Sequence, residues 1–95
     1  MKLWIDDIRP APEGYMWCRS VNETISVIKN SRDISLIDID HDAGIYYSDG
    51  GDYIRILDWL EEHGYSYPIR IHSMNPVGVQ NMRSIIQHNG WMEVR

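Results

Sequence analysis

Phenylalanine is absent from this chain of 95 residues, cysteine occurs once, and lysine stands only at Lys2 and Lys29. The missing Phe is made up by Trp and Tyr and says nothing of function. A lone Cys18 excludes an internal disulfide and fits a reducing compartment. Positive charge is scarce: nine Lys and Arg face fourteen Asp and Glu, a formal net charge of -5. That balance excludes a large non-specific nucleic-acid surface, which would normally be basic. It leaves room for a small phosphate-bearing substrate held by a few arginines or a metal ion. Also lacking is any apolar run long enough to cross a membrane. Asp6-Asp7 interrupts the first such run almost at once, so no secretory segment is expected and a soluble cytoplasmic protein is. With no repeat, low-complexity tract or linker, residues 1–95 read as one domain.

What is present is an alternation of strand and helix patterns. KLWID (Lys2–Asp6) is a short apolar run ending in charge, RPAPEG is a loop, and YMWCR reads as a second strand. SVNETISVIKNS has Ser20 and Glu23 in capping-box spacing, with Val21, Ile25 and Ile28 on one helical stripe. ISLIDI is the run of a strand covered on both faces, and it stops in DHD. After the glycine-punctuated loop AGIYYSDGG, DYIRILDWLEEHG predicts a helix with Ile54, Leu57 and Leu60 inward and Gly64 closing it. PIRIHS is the next strand. Pro76 suits the first turn of a third helix, with Val79, Met82, Ile85 and Ile86 inward and Asn89-Gly90 at its end. WMEVR is the last strand. The order β-β-α-β-α-β-α-β predicts an α/β three-layer sandwich with a mainly parallel five-stranded sheet and about three helices. Strand order does not follow from the pattern.

In an open parallel sheet the segments after the strands' carboxyl ends line one crevice. DDIR, DHD and HSMN all sit at such ends. Asp6, Asp7, Asp40 and Asp42 would repel one another there unless a cation sat among them, and a hard ion such as Mg²⁺ or Mn²⁺ suits carboxylates that also meet phosphate oxygens. Any single Asp among them has an ordinary reading as a loop cap or strand end. Asp38 shares a face with Asp40 but lies deeper, where it supports another group or caps a helix. His41 and His72 are candidates for proton transfer or for holding a softer metal such as Zn²⁺; a buried, satisfied His is the bland alternative. Asn75 is a good N-cap before Pro76, and that helix start directs N–H groups at the crevice, where Ser73 and Arg9 would join them in binding a phosphate.

Taken together, DDIRP (Asp6–Pro10), DHD-x-G (Asp40–Gly44), DWLEEHG (Asp58–Gly64) and HSMNPVG (His72–Gly78) resemble the cyclic-phosphate processing receiver domains, nearly end to end. The resemblance implies a receiver-like fold and the processing of cyclic phosphates on RNA ends or nucleotides. A wider likeness to response-regulator receivers implies that Asp6, Asp7 and Asp40 hold Mg²⁺ and that Ser73 takes the place of the receiver's hydroxyl residue. The chain departs from that pattern in having no lysine after its last strand, no helix between the first two strands, and a histidine beside both Asp40 and Ser73. Phosphotransfer signalling is therefore not expected.

These residues predict a metal-assisted phosphoesterase in which Asp40, His41 and His72 do the chemistry, Asp40 as ligand or as nucleophile. The alternative is a degenerate receiver that binds a phosphate ligand or a protein without turnover. A third reading makes it a scaffold that oligomerises through exposed Trp and Tyr.

Overall fold

The computed structural model describes residues 1–95. Its elements are β1 (Lys2–Ile5), β2 (Tyr15–Cys18), α1 (Val21–Lys29), β3 (Leu36–Ile39), α2 (Ile54–His63), β4 (Ile69–Ile71), α3 (Pro76–Asn89) and β5 (Glu93–Val94), with one 3-10 turn at Gly44–Tyr46. The five strands are all parallel, in the order β2-β1-β3-β4-β5. The receiver-like α/β fold expected from the sequence is thus present, and no helix is long and apolar enough to cross a membrane.

Local signals set the helix ends. Ser20 accepts the Glu23 N–H at 3.0 Å, while Glu23 reaches back to the Arg19 N–H at 2.7 Å, one residue beyond the usual reciprocal bond of a capping box. Asn75 accepts the Gly78 N–H at 3.0 Å with Pro76 at the first helical position. Gly64 (φ 74°) ends α2 in the left-handed region, which a residue without Cβ enters freely.

The core lies on one face of the sheet. Leu3, Ile5, Cys18, Ile37, Ile39 and Ile69 pack there against Val21 and Ile28 of α1, Ile56, Leu57 and Leu60 of α2, and Met82 and Ile86 of α3. In α2 the buried stripe is rotated from the expected one, with Ile56 buried and Ile54 only partly so. The reason for the one-sidedness is topological. The crossovers β2→β3, β3→β4 and β4→β5 all step the same way across the sheet, and right-handed crossovers that step one way place their helices on one side. Only β1→β2 steps back. Its connection, residues 6–14, contains no helix, so the second face has no helix layer, and this loop is tied to part of it by a 2.9 Å bond from Trp4 Nε1 to the Arg9 carbonyl.

Candidate functional site

Three backbone bonds bring the polar clusters to one edge. The Asp6 N–H donates to Cys18 O at 3.2 Å, the Asp40 N–H to Ile5 O at 2.9 Å and the His72 N–H to Ile39 O at 2.9 Å. Each residue therefore sits just past the carboxyl end of its strand, and the DDIR, DHD and HSMN segments meet as the parallel topology requires.

Ligand oxygens of Asp6, Asp7 and Asp40 lie within 4.8 Å of one another. Asp6 is only 1% exposed. Burial alone would raise its pKa, but the Arg9 and Ile8 N–H groups, each 2.9 Å from Oδ1, and His72 outweigh burial and hold the carboxyl below its ordinary value. Asp7 goes the other way: burial raises its pKa, and the negative charges of Asp6 and Asp40 add to the rise. Space beside Asp7 depends on Gly44, which has φ +56° and whose Cβ, if present, would fall on the Asp7 carboxylate. Three converging carboxylates of which one is held ionised and another is destabilised by its neighbours form a hard-oxygen donor set, and this set fits a Mg²⁺- or Mn²⁺-sized ion.

The two histidines have different surroundings. His72 Nε2 lies 2.9 Å from Asp6 Oδ2 and Nδ1 lies 2.6 Å from Asp38 Oδ1, with the ring stacked on Trp4 at 3.7 Å between centroids and a 5° interplanar angle. Arg70 completes the row at 3.1 Å from Asp38 Oδ2. At 7% side-chain exposure and with a carboxylate on each nitrogen, His72 is a brace behind Asp6, and the geometry gives it no free nitrogen for a substrate. His41 places Nδ1 2.8 Å from Asp42 Oδ1 and leaves Nε2 without a hydrogen-bond partner in the chain. Its ring packs on the first turn of α3, where a Cβ on Gly78 would collide with it. Asn75 Nδ2 reaches Asp42 at 3.4 Å, so the DHD and HSMN segments are linked directly.

Of the phosphate-binding candidates, Arg9 is half exposed, with Nε 4.0 Å from Asp6 Oδ2. Ser73 Oγ accepts the Asn75 N–H at 3.2 Å. The anion capacity of the α3 start is narrower than the sequence suggested: Pro76 has no N–H, Asn75 takes that of Gly78, and the free donor of the first turn is the Val77 N–H. Residues missed by sequence reasoning are Trp4 and Arg70, which hold His72 and Asp38, and Asp52. Asp52 accepts the Ala43 N–H at 3.0 Å and groups with His41 and Asp42. Period-two alternation of Trp4 with Asp6 and of Arg70 with His72 was the available signal for the first two. For Asp52, the loop AGIYYSDGG has no periodicity from which to read a direction. The two surface hollows do not include the carboxylates: one runs along α3 from Pro76 to Gln87, and the other lies between α1 and α2 at Ile25, Arg55 and Trp59.

A receiver-like parallel sheet with an acid pair after its first strand and a third acid after β3 defines a receiver-class domain. The profile of the cyclic-phosphate processing receiver domain matches residues 1–88, and the chain belongs to that family. No curated protein and no solved structure matches the chain.

Proposed function

We propose that the domain opens a cyclic phosphodiester with the help of a divalent ion. One observation carries the reading: the carboxylates of Asp6, Asp7 and Asp40 converge within 4.8 Å beside His41, whose Nδ1 is oriented by Asp42 and whose Nε2 is free. Asp6, Asp7 and Asp40 would hold Mg²⁺ or Mn²⁺, which when bound supplies Lewis-acid polarisation of a phosphoryl oxygen. Arg9, the Ser73 hydroxyl and the Val77 N–H bind the non-bridging oxygens, aided by the positive end of α3. Water adds to phosphorus, one ring P–O bond breaks, and a phosphate monoester and a hydroxyl result. His41 moves the proton from water to the departing oxygen.

His72 favours a second reading, in which a phosphate ligand is bound without turnover, because one of the two histidines suited to proton transfer is fully engaged.

Incubation with a nucleoside cyclic phosphate, followed by phosphorus NMR with EDTA, Mg²⁺, Mn²⁺ or Zn²⁺, tests the reaction. Product formed with Mg²⁺ or Mn²⁺ and lost in Asp40→Asn and His41→Gln supports the reaction. Binding without product supports the second reading. Absence of any metal-dependent rise in the melting midpoint overturns the metal-assisted route, since a ligand of the native state must raise it.

A further inference from the structure

The segments after β3 and β4 run into helices, whereas the segment after β1, which carries Asp6, Asp7 and Arg9, runs into none. A pair of indoles holds it instead. Trp4 and Trp17 are partners in the parallel register of β1 and β2. Trp4 alternates with the core residues Leu3 and Ile5, so both rings lie on the face without helices. Trp17 Nε1 donates to the Asp6 carbonyl at 2.8 Å, and Trp4 Nε1 donates to the Arg9 carbonyl at 2.9 Å. Between these anchors the Ile8 and Arg9 N–H groups both donate to Asp6 Oδ1 at 2.9 Å. The turn Asp6–Arg9 is thus closed from inside by one carboxylate oxygen and fastened at each end by an indole. Of the four tryptophans, only these two donate their indole N–H to the chain.

The anchored groups are the ones that set the carboxylates. The Asp6 carbonyl belongs to the planar peptide joining Asp6 to Asp7, so the Trp17 bond fixes the plane from which the Asp7 side chain departs. Trp4 acts on Asp6 a second time: its ring lies flat on His72, whose Nε2 meets Asp6 Oδ2 at 2.9 Å. Trp4 is 9% exposed and Trp17 is half-buried, and bonds sheltered from water are electrostatically stronger than exposed ones. We infer that Trp4 and Trp17 are positioning residues, whose indole N–H groups hold the acid turn so that Asp6 and Asp7 converge with Asp40 on a divalent ion. The inference rests on the reading of those carboxylates as a metal site. Its thermodynamic consequence is reciprocal. If the indole bonds favour the turn that binds the ion, the bound ion must favour the indole bonds by the same factor.

Two measurements on the whole chain test it: proton NMR of indole N–H exchange, and calorimetric titration with Mn²⁺. In wild type, diamagnetic Mg²⁺ should slow exchange of the Trp4 and Trp17 indole protons and leave those of Trp59 and Trp91 unchanged. This arm needs no variant to fold. Trp17→Phe keeps a ring beneath Arg19, whose guanidinium lies 3.9 Å from the indole, and removes only the donor and part of the ring. It should weaken Mn²⁺ binding by roughly two- to tenfold, the fold-change that one net hydrogen bond supplies. Trp59→Phe and Trp91→Phe alter rings that are also half-buried. They should change Mn²⁺ affinity by less than about twofold, whatever they cost in stability, as expected of distant sites. Unaltered affinity in Trp17→Phe, or an equal loss in Trp91→Phe, would overturn the inference and leave the metal site standing. So would exchange at Trp4 and Trp17 that Mg²⁺ does not slow in a protein that binds it. Wild type that binds no Mn²⁺ would overturn the metal reading itself, and this inference with it.

Discussion

His72 and Asp6 are held 2.9 Å apart, Nε2 to Oδ2, although 66 residues separate them in sequence. The bond joins the ends of β4 and β1, strands that are not neighbours in the sheet, by passing over β3. It is a tie across the sheet edge, supported from below by Asp38 and from the side by Trp4.

Replacing this tie should be costly. With His72→Ala, Asp6 and Asp38 remain buried without the group that faces both. Leaving buried acceptors without their hydrogen-bond partner costs about 1–3 kcal/mol, and more for charged groups. Urea unfolding at neutral pH measures it, and a loss below about 1 kcal/mol, the range of exposed pairs, would show that the carboxylates find water instead.

Gly44→Ala separates space from backbone strain. At φ +56° any side chain is strained, and here the added Cβ also meets Asp7. Gly64→Ala carries the same kind of strain at φ +74° with nothing within 4 Å. Both variants should lose about 1–2 kcal/mol of stability. Only Gly44→Ala should also weaken Mn²⁺ binding, as read by calorimetry; equal Mn²⁺ affinity in the two would remove Asp7 from the proposed ligand set.

Asn75→Ala removes the cap of α3 and should lower stability by about 0.5–2 kcal/mol. Asn75→Asp keeps an acceptor for the Gly78 N–H and should recover most of the loss. Thermal melts of the two variants decide it: an equal drop in both would mean that the amide's reach to Asp42, and not the cap, is what matters.

Acid sensitivity has an identifiable contributor at the other edge of the sheet. Glu93 receives Arg83 Nε at 2.8 Å and Nη2 at 2.7 Å. The Arg83 bond holds its pKa below the ordinary value of 4.5 in spite of the opposing effect of burial. A carboxyl depressed by folding adds stability that is present above its unfolded pKa and is lost as pH falls through the folded one. Unfolding free energies between neutrality and strong acid should therefore fall less steeply in Arg83→Gln than in wild type. Parallel curves would show that the pair contributes nothing.

Much of the fold was legible because the relevant signals are local. Apolar runs, caps and glycine stops placed every element, and alternation gave the parallel sheet and thereby the meeting of Asp6, Asp7 and Asp40. Two things were not legible. Which side each crossover takes depends on strand order, so the gathering of all helices on one face, and the open face opposite, stayed hidden. The fates of His41 and His72 were equally hidden, since each depends on groups far away in sequence. Gly78 makes room for one ring, while Trp4 and Asp38 enclose the other. Asp38 was read as a support or a cap, and the support is what the structure has.

Cys18 lies fully buried opposite Ile5, and burial raises its thiol to about 11. Only thiolate reacts with alkylating reagents, so near neutral pH this sulfur responds only after the β2 edge has opened. The chain's single thiol is thus a built-in clock. The rate at which it takes up a label times the local opening of the strand next to Asp6, and a metal or nucleotide that stiffens that edge would slow the clock without any change in its chemistry.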